Sequence, residues 1–218
     1  MQRPVGAVQA AENWQRVWKI SAYGGAERSS ESDTEAVVQS RFGIDASRVL
    51  APRLLAIARF DWRSAKQPYV PDPGANPNQR ITLDEQRYDA VAAIGYDFGT
   101  AIWGDAVSLV PTLGVQYLGI RNGTFPVDLI GADFGAQARF PLFWRLEAQA
   151  GFGYAYNFAT PDTRSALGTL RSHVNSHAGL ILPLGRFGVS LDYRNDILAF
   201  SHTYRVAHGA TLGFGSSF

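Results

Sequence analysis

From Trp144 to Phe158 the chain alternates without a break: Trp144, Leu146, Ala148, Ala150, Phe152, Tyr154, Tyr156 and Phe158 against Arg145, Glu147, Gln149, Gly151, Gly153, Ala155 and Asn157. A period of two puts the first set on one face of a β-strand and the second on the other. Strands in soluble proteins run about 5–6 residues, so alternation of this length calls for a far longer strand. The same pattern recurs over 128–140, 87–98, 185–195 and 203–218, and less regularly over 14–25, 35–46, 50–62, 105–119 and 169–182. About ten strands are expected, with eight to twelve as the range.

The links supply a second signal. Short turns are expected near Asp45 to Val49, Gly99 to Asp105, Pro141 to Phe143 and Pro183 to Gly185. Longer polar links fall at 26–34, 63–83, 120–127, 159–168 and 196–201. Long and short links therefore alternate, as they do when every long loop lies on one side of a membrane.

What the second face contains decides between a dry core and lipid. A soluble barrel turns that face to water and fills it with Lys, Glu and Thr. Here it holds glycine, small residues and arginines balanced by acids, the mixture that a confined lumen needs. The aromatic residues, 12% of the chain, gather near segment ends, as interfacial girdles do. On the presumed inner side these are Trp14, Trp18, Trp103, Phe140, Phe143 and Trp144; on the outer side Phe60, Trp62, Tyr88, Tyr117, Tyr156, Phe158, Tyr193 and Tyr204. The expected fold is all-β, a closed antiparallel up-and-down transmembrane β-barrel over residues 14–218. Residues 1–13 form an N-terminal extension or leader remnant, since Val8-Gln9-Ala10 has the small-x-small character of a signal-peptidase site.

Other classes are excluded early. No apolar run reaches the roughly 18–20 residues of a membrane helix. Twenty basic and nineteen acidic side chains lie scattered along the chain, so no basic stripe offers itself to nucleic acid. With no cysteine, thiolate chemistry and cysteine metal sites are absent.

The last residues, Ala210-Thr211-Leu212-Gly213-Phe214-Gly215-Ser216-Ser217-Phe218, resemble the terminal strand of Gram-negative outer-membrane β-barrel proteins. That strand ends in phenylalanine with apolar residues at alternate positions before it; Ser216 stands where the family usually has an apolar residue. The resemblance implies the outer membrane as location, outer-membrane lipid and lipopolysaccharide as surroundings, and the barrel assembly machinery as partner. It also implies that Leu212, Phe214 and Phe218 form the assembly signal.

For chemistry, the inward faces supply Arg41, Arg87, Arg139, Arg145, Arg171, Arg194 and Arg205 against Asp89, Asp97, Asp133, Glu147 and Asp192. About ten strands make too narrow a barrel for an open aqueous channel. These charges are expected to form a structural network or to line a constricted pore, which makes the chain a structural or narrow-channel surface protein. His173 and His177 share the inward face with Arg171 and Asn175. Four residues along a strand separate them by about 13 Å, too far for one metal ion, so no metal and no cofactor are expected.

The rival is an outer-membrane hydrolase using Asp196 with His202, flanking the last external loop. Ten-stranded outer-membrane proteases carry a similar acid and histidine at the mouth, although the second acid pair finds only Asp84, Glu85 and Asp128 here. His208 falls on the apolar face, and a bulge is expected to turn it inward. A third reading is a soluble secreted barrel with an apolar interior that binds a ligand. The 63–83 loop is the natural contact for an extracellular or envelope protein.

Overall fold

The structure, a computed structural model, describes residues 18–31, 36–69, 81–99, 102, 107–121, 127–143, 145–159, 170–201 and 203–217. Ten strands account for nearly all of them: β1 (Trp18–Glu31), β2 (Val37–Ala51), β3 (Leu54–Tyr69), β4 (Ile81–Tyr96), β5 (Ser108–Arg121), β6 (Val127–Pro141), β7 (Glu147–Ala159), β8 (Leu170–Leu184), β9 (Phe187–Phe200) and β10 (Tyr204–Ser217). Each pairs antiparallel with its sequence neighbour, and β1 pairs with β10, so the sheet closes into a barrel. Closure leaves no strand edge, the condition for a β-structure to sit in hydrocarbon.

The faces sort as the alternation requires. Outward stand Ile94, Leu113, Val115, Ile130, Phe134, Phe152, Leu191, Leu212 and Phe214, all exposed. A contiguous apolar belt of this size is incompatible with water and matches the lipid-facing band of a transmembrane barrel. The interior is charged, so the reading of a soluble barrel with an apolar cavity is overturned: the aromatic face points out. Trp18, Phe140 and Phe187 lie at the end that carries the termini; Tyr117, Tyr156 and Tyr204 lie towards the other, whereas Phe60, expected there, stands level with Ile44 and Ala22 in the terminal half. Trp14, Trp103 and Trp144 lie outside the described residues.

Several expected boundaries move. β1 begins at Trp18 and runs through the polar AERSSE stretch to Glu31, while β3 and β4 take up 63–69 and 81–83 of the expected 63–83 loop, leaving 70–80 between them. Residues 45–49 belong to β2; the turn is Pro52–Arg53, with Arg53 at a positive φ of 68°. The link between β4 and β5 spans 97–107, as long as the external link 70–80, so the contrast between short and long links is incomplete. The last external link is only 201–203 because β9 extends to Phe200.

Inside, three layers stack along the axis. At the loop end, Leu118, Ile120, Val127, Leu129, Leu170, Leu198 and Phe200 pack as a buried apolar cluster across β5, β6, β8 and β9. Beneath it lies a dense layer of buried acids, arginines and amides. Towards the termini the lumen opens into a cavity of about 370 Å³.

Candidate functional site: the charged lumen

The inward register follows directly from strand pairing. On β1 to β4 the odd residues point in, placing Glu27, Gln39, Arg41, Asp61, Arg63, Glu85, Arg87 and Asp89 in the lumen, all buried. From the far wall come Gln116 of β5, Asp133 of β6, His173 of β8, and Asp192, Arg194 and Asp196 of β9, also buried. Charges taken this far from water persist only if paired and hydrogen-bonded, and the geometry shows such pairing for Glu27, Arg41, Asp61, Arg63, Arg87 and Asp196.

Arg41 grips Asp61 in a two-pronged contact, Nε to Oδ1 and Nη2 to Oδ2, each 2.6 Å. Its Nη1 donates to Glu27, which also accepts from Gln39 Nε2 at 3.0 Å. The Tyr23 hydroxyl donates to Asp61 Oδ2 at 2.8 Å, and the Arg194 guanidinium lies 3.7 Å from the centre of the Tyr23 ring. Bidentate charge-assisted bonds of this kind are the strong ones.

A second group spans the barrel. Asp196 accepts from Arg63 Nη2 at 2.8 Å on Oδ2 and from Arg87 Nη1 at 2.6 Å on Oδ1. His173 Nε2 also sits 2.8 Å from Asp196 Oδ2. Gln116 Nε2 lies 2.8 Å from Asp89 Oδ1 and 2.6 Å from His173 Nδ1. The Gln116 amide nitrogen thus bridges Asp89 and His173. Ligand atoms of Asp89, His173 and Asp196 lie within 4.8 Å of one another. The Arg87 Nη2 atom stands 3.0 Å from His173 Nε2, however, so protein donors already serve these groups and a guanidinium occupies the side that a cation would approach.

The expected lumen residues divide three ways. Arg41, Arg87, Asp89, Asp133, His173, Asp192 and Arg194 lie buried in the lumen; Arg205 joins them near the loop end, donating to Glu85 at 2.5 Å. Arg139 and Glu147 stand 3.7 Å apart, partly exposed at the terminal mouth, and His177 lines the cavity. Asp97 is buried but acts on the chain itself, accepting from Ser108 Oγ at 2.8 Å and the Leu109 amide at 3.2 Å to hold the ends of the 97–107 link.

Two expected lumen residues are corrected. Arg145 falls in the 142–146 link, exposed, because β7 starts only at Glu147. Arg171 is exposed at a register shift between Leu170 and Ser172, where one extra residue breaks the alternation. Asn175 stands opposite Asp196 in the β8–β9 register.

Asp196 itself is corrected from the outer rim to the lumen wall, 1% exposed. His202 lies outside the described residues. The expected inward turn of His208 is also overturned: β10 pairs with β9 without a bulge from Tyr204 to Ser216, and His208 faces outward, its Nδ1 2.7 Å from the Tyr193 hydroxyl. Leu212 and Phe214 face outward in the belt, while Phe218 lies outside the described residues.

Sequence reasoning missed Glu27, Gln39, Asp61, Arg63, Glu85 and Gln116. The signal for Asp196 was present, since one more step along Arg186, Gly188, Ser190, Asp192 and Arg194 reaches it.

No protein-family model matches the chain, and no curated protein is similar to it in sequence. Solved structures do resemble it. The translocator domain of the autotransporter NalP from Neisseria meningitidis superposes with a TM-score of 0.51 at 9% identity, over 97% of this chain and 91% of that one. The β-domain of the Bordetella autotransporter BrkA gives 0.51 at 13%, over 91% and 98%. The outer membrane protease OmpT from Escherichia coli gives 0.52 at 8%, over 93% and 97%. At such identities the likeness is one of fold. A closed barrel with a lipid-facing belt and this fold belongs in the outer membrane of a Gram-negative cell.

Proposed function

We propose that this chain is a sealed structural barrel of the outer membrane, one whose lumen holds the wall together instead of conducting solute. The observation that carries the reading is the double closure of the loop-end half. The apolar cluster of Leu118, Leu129, Leu198 and their neighbours sits over the clamp of Arg63, Arg87 and Asp196, which joins opposite walls. Ion passage would require both layers to part, and each buried ion pair resists separation because breaking it strands a charge.

Conductance in a planar bilayer tests this. The sealed barrel inserts without discrete current steps, whereas a variant that empties both layers, Arg63→Ala, Arg87→Ala and Asp196→Ala together with Leu118→Ala, Leu129→Ala and Leu198→Ala, raises current through the same bilayer. Regular unitary steps from the native protein would overturn the reading in favour of a constricted pore. A hydrolase working through Asp196 draws no support from the geometry, since both carboxylate oxygens are engaged by Arg63, Arg87 and His173.

A further inference from the structure

At the end that carries the termini, the periplasmic side in barrels of this kind, the lumen is a recess of about 370 Å³, closed at its inner end by the ionic layer. That volume falls within the roughly 300–1,000 Å³ range of small-molecule sites. The space exists because the inward positions of β9 and β10 here are small: Ser190 pairs with Gly213 and Gly188 with Gly215, and all four line the recess.

Arg194 reaches into this space from β9. Its side chain is only 7% exposed, and two contacts fix it: the guanidinium lies 3.7 Å from the centre of the Tyr23 ring, and Nε donates to Thr211 Oγ1 at 3.1 Å. The two terminal nitrogens are left over. Neither makes a hydrogen bond among the described residues, yet both keep accessible surface, unlike the sealed and unpaired Nε of Arg87. The acids beside them stand off, Asp192 Oδ2 at 3.9 Å and Asp45 Oδ2 at 4.0 Å from Nη2. Asp45 is closer to Arg59, whose Nε donates to it at 3.1 Å, and Asp192 accepts from Gln149 at 2.5 Å.

Deep in the recess the charges balance, Arg59 and Arg194 against Asp45 and Asp192. At the mouth they do not. Lys19, Arg139 and Arg186 share one acid, Glu147, which stands 3.7 Å from Arg139 with both side chains substantially exposed. Lys19 and Arg186 form no ion pair among the described residues. Two positive charges are therefore in excess, and a recess with low-dielectric walls focuses their field on anions that enter it.

We infer that the recess binds a phosphate dianion, free or as the monoester of a small solute, seated on the terminal nitrogens of Arg194. A guanidinium fork held by Tyr23 and Thr211 is set for a phosphate before it arrives. Phosphate also carries both of its charges on one group, so it answers the excess without a second contact elsewhere on the wall. The anion enters from the periplasmic side and goes no further than the ionic layer.

The experiment uses the full chain refolded in detergent micelles, where binding is read whether or not the barrel conducts. Isothermal titration at about pH 8, where imidazole is neutral and a phosphate monoester doubly charged, compares inorganic phosphate, phenyl phosphate, dimethyl phosphate and succinate. Inorganic phosphate is expected to bind saturably at one site, with the singly charged diester and the dicarboxylate each about tenfold weaker or worse. Phenyl phosphate binding tighter than inorganic phosphate marks a solute monoester as the occupant, and the reverse marks the free ion. Arg194→Gln is expected to abolish binding. Lys19→Gln with Arg186→Gln removes the excess without breaking an ion pair and is expected to weaken phosphate about tenfold and to flatten its salt dependence. Arg48→Gln takes a charge from the same end of the barrel but from the outward face, beside Trp18, and should change nothing. The ligand series and the Lys19, Arg186 double variant decide the matter even if Arg194→Gln fails to fold. Absence of saturable phosphate binding, succinate or dimethyl phosphate binding as tightly as phosphate, or undiminished affinity in the double variant each overturn the inference.

Discussion

Arg87 and Asp196 reach each other across the full lumen, Nη1 to Oδ1 at 2.6 Å, although β4 and β9 stand five places apart in the ring of ten strands. Arg63 of β3 makes the same crossing to the same carboxylate. The barrel is thus braced across its diameter as well as around its circumference.

Replacing Asp196 with Asn removes the counter-charge from two buried arginines at once. The expected loss is about 3–5 kcal/mol, the cost of leaving buried charge uncompensated, measured by guanidinium unfolding in lipid vesicles. Undiminished stability would mean that Arg63 and Arg87 find other acids.

The pairwise character of the brace is open to a double-mutant cycle. Arg87→Met with Asp196→Leu is expected to be less destabilising than the two single changes added together, with a coupling of about 0.5–3 kcal/mol, because the double variant removes both charges. Strict additivity would deny the direct bond.

Val115 lies outward in the belt, exposed to lipid, and Gln116 beside it points inward, fully buried. Val115→Arg is expected to cost about 2–4 kcal/mol near the bilayer midplane. Val115→Leu keeps the surface apolar and should leave the unfolding midpoint within error of the native value.

The seam between β1 and β10 depends on close backbone approach. A Cβ at Gly209 would fall 2.2 Å from the Ala26 carbonyl oxygen, and one at Gly25 would fall 2.1 Å from that of Ala210. Gly209→Ala is therefore expected to lower the yield of folded, heat-modifiable barrel on gels, since closure itself is obstructed. Gly188→Ala, where the added Cβ makes only ordinary contacts at 3.7 Å with Ile181 and Leu182, should fold normally.

How far the sequence foretold this arrangement depended on lipid. Strands such as β6 and β7 announce themselves because one face meets hydrocarbon and must be apolar while the other meets the lumen. Beyond the bilayer both faces are polar, so the contrast fades and strand looks like loop. That is why Glu27 and Arg63, in the outer reaches of β1 and β3, were read as loop residues, and why the brace they belong to stayed hidden. Pairs between strands half a ring apart leave no trace in local patterning: nothing near Arg87 in the sequence points to Asp196. Arg171 failed for the opposite reason: one extra residue at the bulge between Leu170 and Ser172 offsets the two sides of the shift, so the alternation that holds from His173 to His177 does not extend back to Arg171.

The pairing of β1 with β10 also carries a kinetic consequence. Strands β1 and β10 must meet before the ring exists, so the contacts that define it are among the most distant in sequence of all the strand pairings and are slow to form. Until then Arg63 and Arg87 have no Asp196 on the far wall to receive them, and an open sheet lying in hydrocarbon would expose unmatched guanidinium groups to lipid. Insertion and closure must therefore proceed as one event, with the last strand arriving while water can still reach the interior.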